Sequence, residues 1–235
     1  LDTKFRNDMS TLLRETGSCN LLLNMTDVFL VLHHEKLHEL IDLFKIPHVE
    51  IMPYFGRNDE RDNYDAEKYI EHLVKLRNRG VKIYLKCLSV PIEPISQILV
   101  KYGVVDCIIV KTANGAGTVS YAHHDLLPLI IKAKSMYPNV HIIGSGGVTS
   151  SIEVVNALAV GATGVGIGTA FAMSKESKLC IENKVRLLFK KGNDVKRLNE
   201  KGPKQNAIVF TKFPNQDDEN NTIGLERGIN QSGVG

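Results

Sequence analysis

The stretch Ile142–Ser177, IIGSGGVTSSIEVVNALAVGATGVGIGTAFAMSKES, decides the fold. It opens on an apolar run that breaks into Gly144-Ser145-Gly146-Gly147 and ends on a second run carrying Gly164, Gly166, Gly168 and Thr169. Between them, Ser150 and Glu153 have the spacing of a capping box, ahead of Val154, Val155 and Leu158 at helical period. A buried strand, a helix and a second buried strand make a βαβ unit. Glycine at the end of each strand lets the backbone approach a ligand closely. The N–H groups of the helix turn near Ser150 carry partial positive charge suited to phosphate. In barrels, the loops after the seventh and eighth strands often build such a phosphate site.

The same rhythm runs back toward the amino end. Strands are expected at Asn20–Asn24, His48–Phe55, Val81–Leu88, Val105–Lys111, Val140–Gly144 and Gly164–Gly168, six in all. Thr3–Glu15 reads as a leading helix. Leu37, Leu40, Ile41 and Phe44 form one helical stripe, and Ile70, Leu73, Val74 and Arg77 form another that stops at Gly80. Asp125 reads as an N-cap with Pro128 in the first turn. Strands so apolar along their length need cover on both faces, which gives an α/β fold with parallel strands. Period alone leaves a (β/α)8 barrel and a doubly wound sheet both open. Past Lys191 the pattern lapses: Phe213–Asn221 is polar without period and Gly224–Gly235 is glycine-rich, the texture of a loop or lid.

Composition sets the class. The 235 residues are 43% hydrophobic and 23% charged, a globular profile. Twenty-nine basic residues against 26 acidic ones leave +3, and no basic stripe interleaves with aromatics, so nucleic acid is not an expected partner. No apolar run approaches the roughly 18 residues of a membrane span, and the first residues lack the apolar core of a signal peptide, so no membrane partner is expected. The chain does not begin with Met and reads as a fragment or processed product. Cys19, Cys87, Cys107 and Cys180 lie far apart, which fits a reducing, cytoplasmic setting.

On its GGV and GT-x-F-x-x-x-x-ES pieces, Ile142–Ser177 resembles the FMN-phosphate segment of the nitronate monooxygenase family, formerly 2-nitropropane dioxygenases. That family is similar to the FMN-dependent enoyl-reductases of fatty-acid and polyketide synthesis. The resemblance implies a flavin-binding (β/α)8 barrel, with backbone at Ser145, Gly146, Gly147, Gly168 and Thr169 holding the FMN phosphate. It makes the six strands the third to the eighth, with the first two absent from this chain. Residues 1–190 are then the barrel, and 191–235 an extension. Gln231, before Ser232 and Gly233, resembles a loop that closes over the flavin.

The loop Thr112–Ser120 lines up with the family's A-G-G-H segment, with Gly117 beside the flavin. The family's histidine, which removes the α-proton of a nitroalkane, is Thr118 here, and a threonine hydroxyl is too weak a base to replace it. Thr118, His123 and His124 are therefore the catalytic candidates. Lys86, near the carboxyl end of an apolar strand, needs an anion to be buried there and is expected to face the flavin's pyrimidine end.

Two other readings compete. His34-Glu35-Lys36-Leu37-His38 matches H-E-x-x-H, the zinc-protease pattern, but Ile41 and Phe44 stand where a metzincin has Gly and His, so no metal is expected. A flavin-binding protein that has lost its base is the second. The expectation is an FMN-dependent oxidoreductase, nitronate monooxygenase-like or of the enoyl-reductase kind. Its expected partners are a small organic substrate and further copies of the chain.

Overall fold

The computed structural model describes residues 3–17, 21–26, 30, 33–52, 66–87, 90, 92, 94–112, 117–118, 125–177, 179, 181, 184–185, 195–198 and 205–208. In chain order the elements are α1 (Thr3–Thr16), β1 (Leu22–Thr26), α2 (His34–Phe44), β2 (His48–Met52), α3 (Ala66–Asn78), β3 (Lys82–Cys87), α4 (Pro94–Lys101) and β4 (Cys107–Lys111). Next come β5 (Gly117–Thr118), α5 (Leu126–Met136), β6 (His141–Ser145), α6 (Ser151–Ala159), β7 (Gly164–Gly166), α7 (Thr169–Ala172), β8 (Val195–Leu198) and β9 (Gln205–Ile208). The larger sheet has the order β1-β2-β3-β4-β6-β7, and these are the six strands counted from sequence, their bounds moved by a few residues. The pairs β1/β2, β2/β3 and β6/β7 are parallel. A second sheet, β5-β9-β8, is antiparallel; its strands β8 and β9 lie in the segment read from sequence only as an extension.

The chain divides into two compact units, residues 1–87, 92–109 and 139–141 in one, and 88–91, 110–138 and 142–235 in the other. In the first, the register Val49↔Ile83 and Ile51↔Leu85 lines up four wholly buried side chains on one face of the sheet. Helix α2 buries the expected stripe Leu37, Leu40, Ile41 and Phe44. Helix α3 differs from expectation. Its buried face is Tyr69, Leu73 and Leu76, while Val74 is 37% exposed and Arg77 reaches out to Asp106. Tyr69 takes the i position of an i, i+4, i+7 stripe, so the buried face lies about one residue from the expected Ile70, Leu73, Val74 and Arg77. The helix ends as expected: Gly80 has φ 83° and its N–H donates to the Arg77 carbonyl at 2.9 Å.

Asp106, just before β4, fastens this unit. Its carboxylate accepts from Arg77 at 2.7 Å, from Lys82 at 3.1 Å and from the Ile83 N–H at 3.0 Å. Burial raises its pKa, but those donors together outweigh burial and hold the carboxyl below its usual range.

The H-E-x-x-H residues face α3. His34 stacks on His72 with ring centroids 4.3 Å apart and an interplanar angle of 25°, and His38 lies 6.3 Å from the same ring. Among the described residues no His, Cys, Asp and Glu group is arranged to hold a metal. His72 is buried, with no hydrogen-bond partner for Nδ1. Arg79 bridges His38 and Asp42. Burial lowers the pKa of both His38 and His72, and neighbouring charge adds to it, from Arg79 at His38 and from His34 at His72; Asp42 and Glu71 oppose it.

A pKa lowered in the folded state means that the unfolded chain binds more protons as pH falls below about 6.5, so this contribution to stability is present above that pH and is lost below it. Thermal unfolding at a series of pH values should show Tm falling as pH drops from about 6.5 toward about 5. His72→Leu should flatten that fall, and an unchanged slope in the variant contradicts the account.

Candidate functional site around the glycine loops

In the second unit, the parallel register sets Ser145 opposite Gly166, so the carboxyl ends of β6 and β7 lie side by side. The glycines there do different jobs. A Cβ on Gly144 would sit 2.6 Å from Ile130 Cδ1, and one on Gly166 would sit 2.9 Å from Ser145 Oγ, so both let the fold close-pack. Gly146 and Gly147 have φ 104° and 80°, a turn that side chains resist. Gly168 has φ −111°, and a Cβ on it would meet nothing within 4 Å. Neither packing nor backbone conformation requires that glycine. Gly168 is exposed, and its side toward solvent is open.

Thr112, directly after β4, is fully buried. Its N–H donates to the Ser145 carbonyl at 3.0 Å, and its hydroxyl donates to the Gly146 carbonyl at 3.2 Å. Lys184, also buried, donates to the carbonyls of Ser174 at 2.5 Å and Ser177 at 2.8 Å, closing off the run that follows Thr169.

Helix α6 begins with the expected capping box. Ser150 Oγ accepts from the Glu153 N–H at 3.4 Å, while Glu153 Oε2 accepts from the N–H groups of Thr149 at 2.7 Å and Ser150 at 2.8 Å and from both their hydroxyls. The Thr149 N–H first, then the other donors, hold the Glu153 carboxyl below its usual range. Of the N–H groups near Ser150 expected to suit a phosphate, those of Thr149 and Ser150 serve this carboxylate. The helix also departs from its expected stripe, burying Ala157 while Val155 is 61% exposed. Asp125 occupies the N-cap of α5, but its side chain makes no capping bond. It and Glu153 line, together with Gly146 and Gly147, a cavity of about 400 Å³. Two carboxylates in that lining disfavour an anion placed next to them.

The remaining sequence candidates are placed as follows. Gly117 and Thr118 form β5, their backbones opposite Asn206 and Gln205 of β9. Thr169 opens α7. His123, His124 and Gln231 lie outside the described residues. Lys86, in the first unit, meets an anion, but one from the protein: its Nζ is 2.6 Å from Glu50 Oε1, which also accepts from Asn24 Nδ2 at 2.7 Å. Glu50 sits opposite Tyr84, two residues before Lys86 on the same face of β3. Sequence reading passed over Glu50 and Asn24, although a glutamate inside His48–Met52 is as costly to bury as Lys86 and signalled the pairing.

Compared with protein families, residues 88–227 match the model described as nitronate monooxygenase. The chain belongs to the nitronate monooxygenase family. Members of that family are flavin-dependent oxidoreductases. The matched segment holds the glycine loops, Thr112 and Thr118, and begins just after Lys86.

Solved structures agree on the fold. FabK from Thermotoga maritima is 20% identical with a TM-score of 0.67, over 87% of this chain and 58% of that one. A nitroalkane oxidase from Streptomyces ansochromogenes is 17% identical with a TM-score of 0.56, over 85% and 64%. The enoyl reductase domain of MlnA from the macrolactin cluster of Bacillus amyloliquefaciens is 14% identical with a TM-score of 0.59, over 87% and 54%. At these identities the likeness shows the fold, a (β/α)8 barrel, and this chain spans less than two thirds of the length of each. No characterised protein sequence matched the chain. Among the described residues no helix is long and apolar enough to cross a membrane.

The Glu50–Lys86 pair predicts a stability pattern. Lys86→Met leaves a buried carboxylate without its cation and should destabilise by about 3 kcal/mol in urea unfolding. Adding Glu50→Met should recover most of the loss, since no charge is then left unpaired. A double variant no more stable than the single one contradicts the pairing.

Proposed function

We propose that the protein is an FMN-dependent oxidoreductase acting on a small organic substrate in the manner of a nitronate monooxygenase. The open side of Gly168, two residues past the end of β7, which pairs with the strand leading into the Gly146–Gly147 turn, carries the reading. A methyl there meets no protein atom, so glycine at this position leaves room for a ligand. FMN is favoured over FAD because nothing in the chain resembles the G-x-G-x-x-G turn with a following acidic residue. The two peptides that buried Thr112 holds would supply the phosphate's neutral donors, with Ser145 at the base of the turn. A bound flavin supplies hydride or electron transfer at its N5 position.

Thr118 bears on the substrate. A hydroxyl cannot take a proton from carbon at neutral pH, so a substrate that needs no base suits this chain best. An anionic nitronate or an activated alkene meets that requirement, which favours the enoyl-reductase alternative more than it would in a chain with histidine at 118. The wide spacing of the cysteines supports a cytoplasmic setting.

Purified protein should show an oxidised-flavin absorption band, and a protein that neither carries nor takes up FMN sinks the proposal. Gly168→Ala should change Tm little while weakening FMN binding about tenfold or more, because the methyl occupies ligand space alone. Thr118→His should raise oxidation of neutral nitroalkanes by about 10²-fold with FMN affinity unchanged. Brisk oxidation of neutral nitroalkanes by the native protein would place the base elsewhere.

A further inference from the structure

We propose that Thr112 is a positioning residue that turns the Gly146 and Gly147 N–H groups toward the flavin's phosphate and so sets a preference for phosphorylated over unphosphorylated flavin. The inference rests on the FMN reading given above. It starts from the geometry of the peptide unit, which is planar and trans, so that each C=O points opposite to the N–H of the next residue. The Thr112 N–H, bound to the Ser145 carbonyl at 3.0 Å, fixes the Ser145–Gly146 peptide and sends the Gly146 N–H away from Thr112. The Thr112 hydroxyl, bound to the Gly146 carbonyl at 3.2 Å, fixes the next peptide and sends the Gly147 N–H away as well. One buried residue thus orients two consecutive donors.

That control is needed because of the glycines. Gly146 and Gly147, at φ 104° and 80°, are in a region that glycine enters freely and leaves as freely, so nothing intrinsic keeps their peptide planes facing one way. Thr112 is fully buried, so water cannot compete for its hydroxyl, and its β-branch restricts the χ1 angle that aims it. The nearby Thr149 and Ser150 N–H groups are engaged by Glu153. The glycine peptides are the adjustable donors, and Thr112 adjusts them.

The test compares FMN with riboflavin, which lacks the phosphate, in binding titrations on the full chain. The native protein should bind FMN more tightly. Thr112→Val keeps the shape and the backbone N–H but removes the hydroxyl; it should weaken FMN binding about tenfold and leave riboflavin binding unchanged. Thr112→Ser should keep the native preference. A merely structural role would lower both affinities together, so a Val variant with an unchanged FMN-to-riboflavin ratio overturns the proposal even if its Tm falls. If the native protein shows no preference for FMN, the phosphate reading itself fails, and that result appears before any variant is made.

Discussion

A sheet whose strands are covered on both faces has nowhere to leave a charge unpaired. In the first unit, β2 and β3 present Val49, Ile51, Ile83 and Leu85 to one side, all fully buried, and those rows let the sheet form. The alternation that buries them turns Glu50, Tyr84 and Lys86 to the opposite side. There, the polar groups must satisfy one another, and they do so through Glu50, which takes both Lys86 and Asn24. At the amino end of β4, Asp106 gathers Arg77, Lys82 and the Ile83 N–H in the same way. Both carboxylates join elements far apart in sequence, so each holds strand register as well as charge balance.

Much of this was legible in advance, for a physical reason. Hydrophobic period follows from burial, so the six strands of the larger sheet and the α2 stripe could be read directly. The Ser150–Glu153 box was legible because its partners are three residues apart. The α3 stripe was misplaced because Tyr69 counts as amphipathic from composition but is wholly buried here. The short strands β5, β8 and β9 pair across long separations, which no local pattern encodes.

The candidate site was legible in part. Two glycine clusters marked the loops at the ends of β6 and β7, but sequence could not divide these glycines into those that admit Ile130 or Ser145, those that turn the chain and the one with open space beside it. That division depends on what other segments bring near each Cα. Thr112 was invisible for the same reason: its worth lies in two carbonyls more than thirty residues later in the chain. Glu50 stood in plain view, and was missed because it was read as part of an apolar run rather than as the counter-charge of Lys86.

The capping box explains why the glycines matter so much. A helix that opens beside two glycines ordinarily offers an anion its free N–H groups and the positive end of its dipole. Here Glu153 already takes the Thr149 and Ser150 N–H groups, and its negative charge offsets the dipole at the point where a phosphate would gain most from it. Glu153 takes no donor from the peptides of Gly146 and Gly147, which precede the box. Their direction is set from outside the loop by a neutral hydroxyl. The box thus stabilises the helix, while the turn before it is tied to Thr112 through the Ser145 and Gly146 carbonyls.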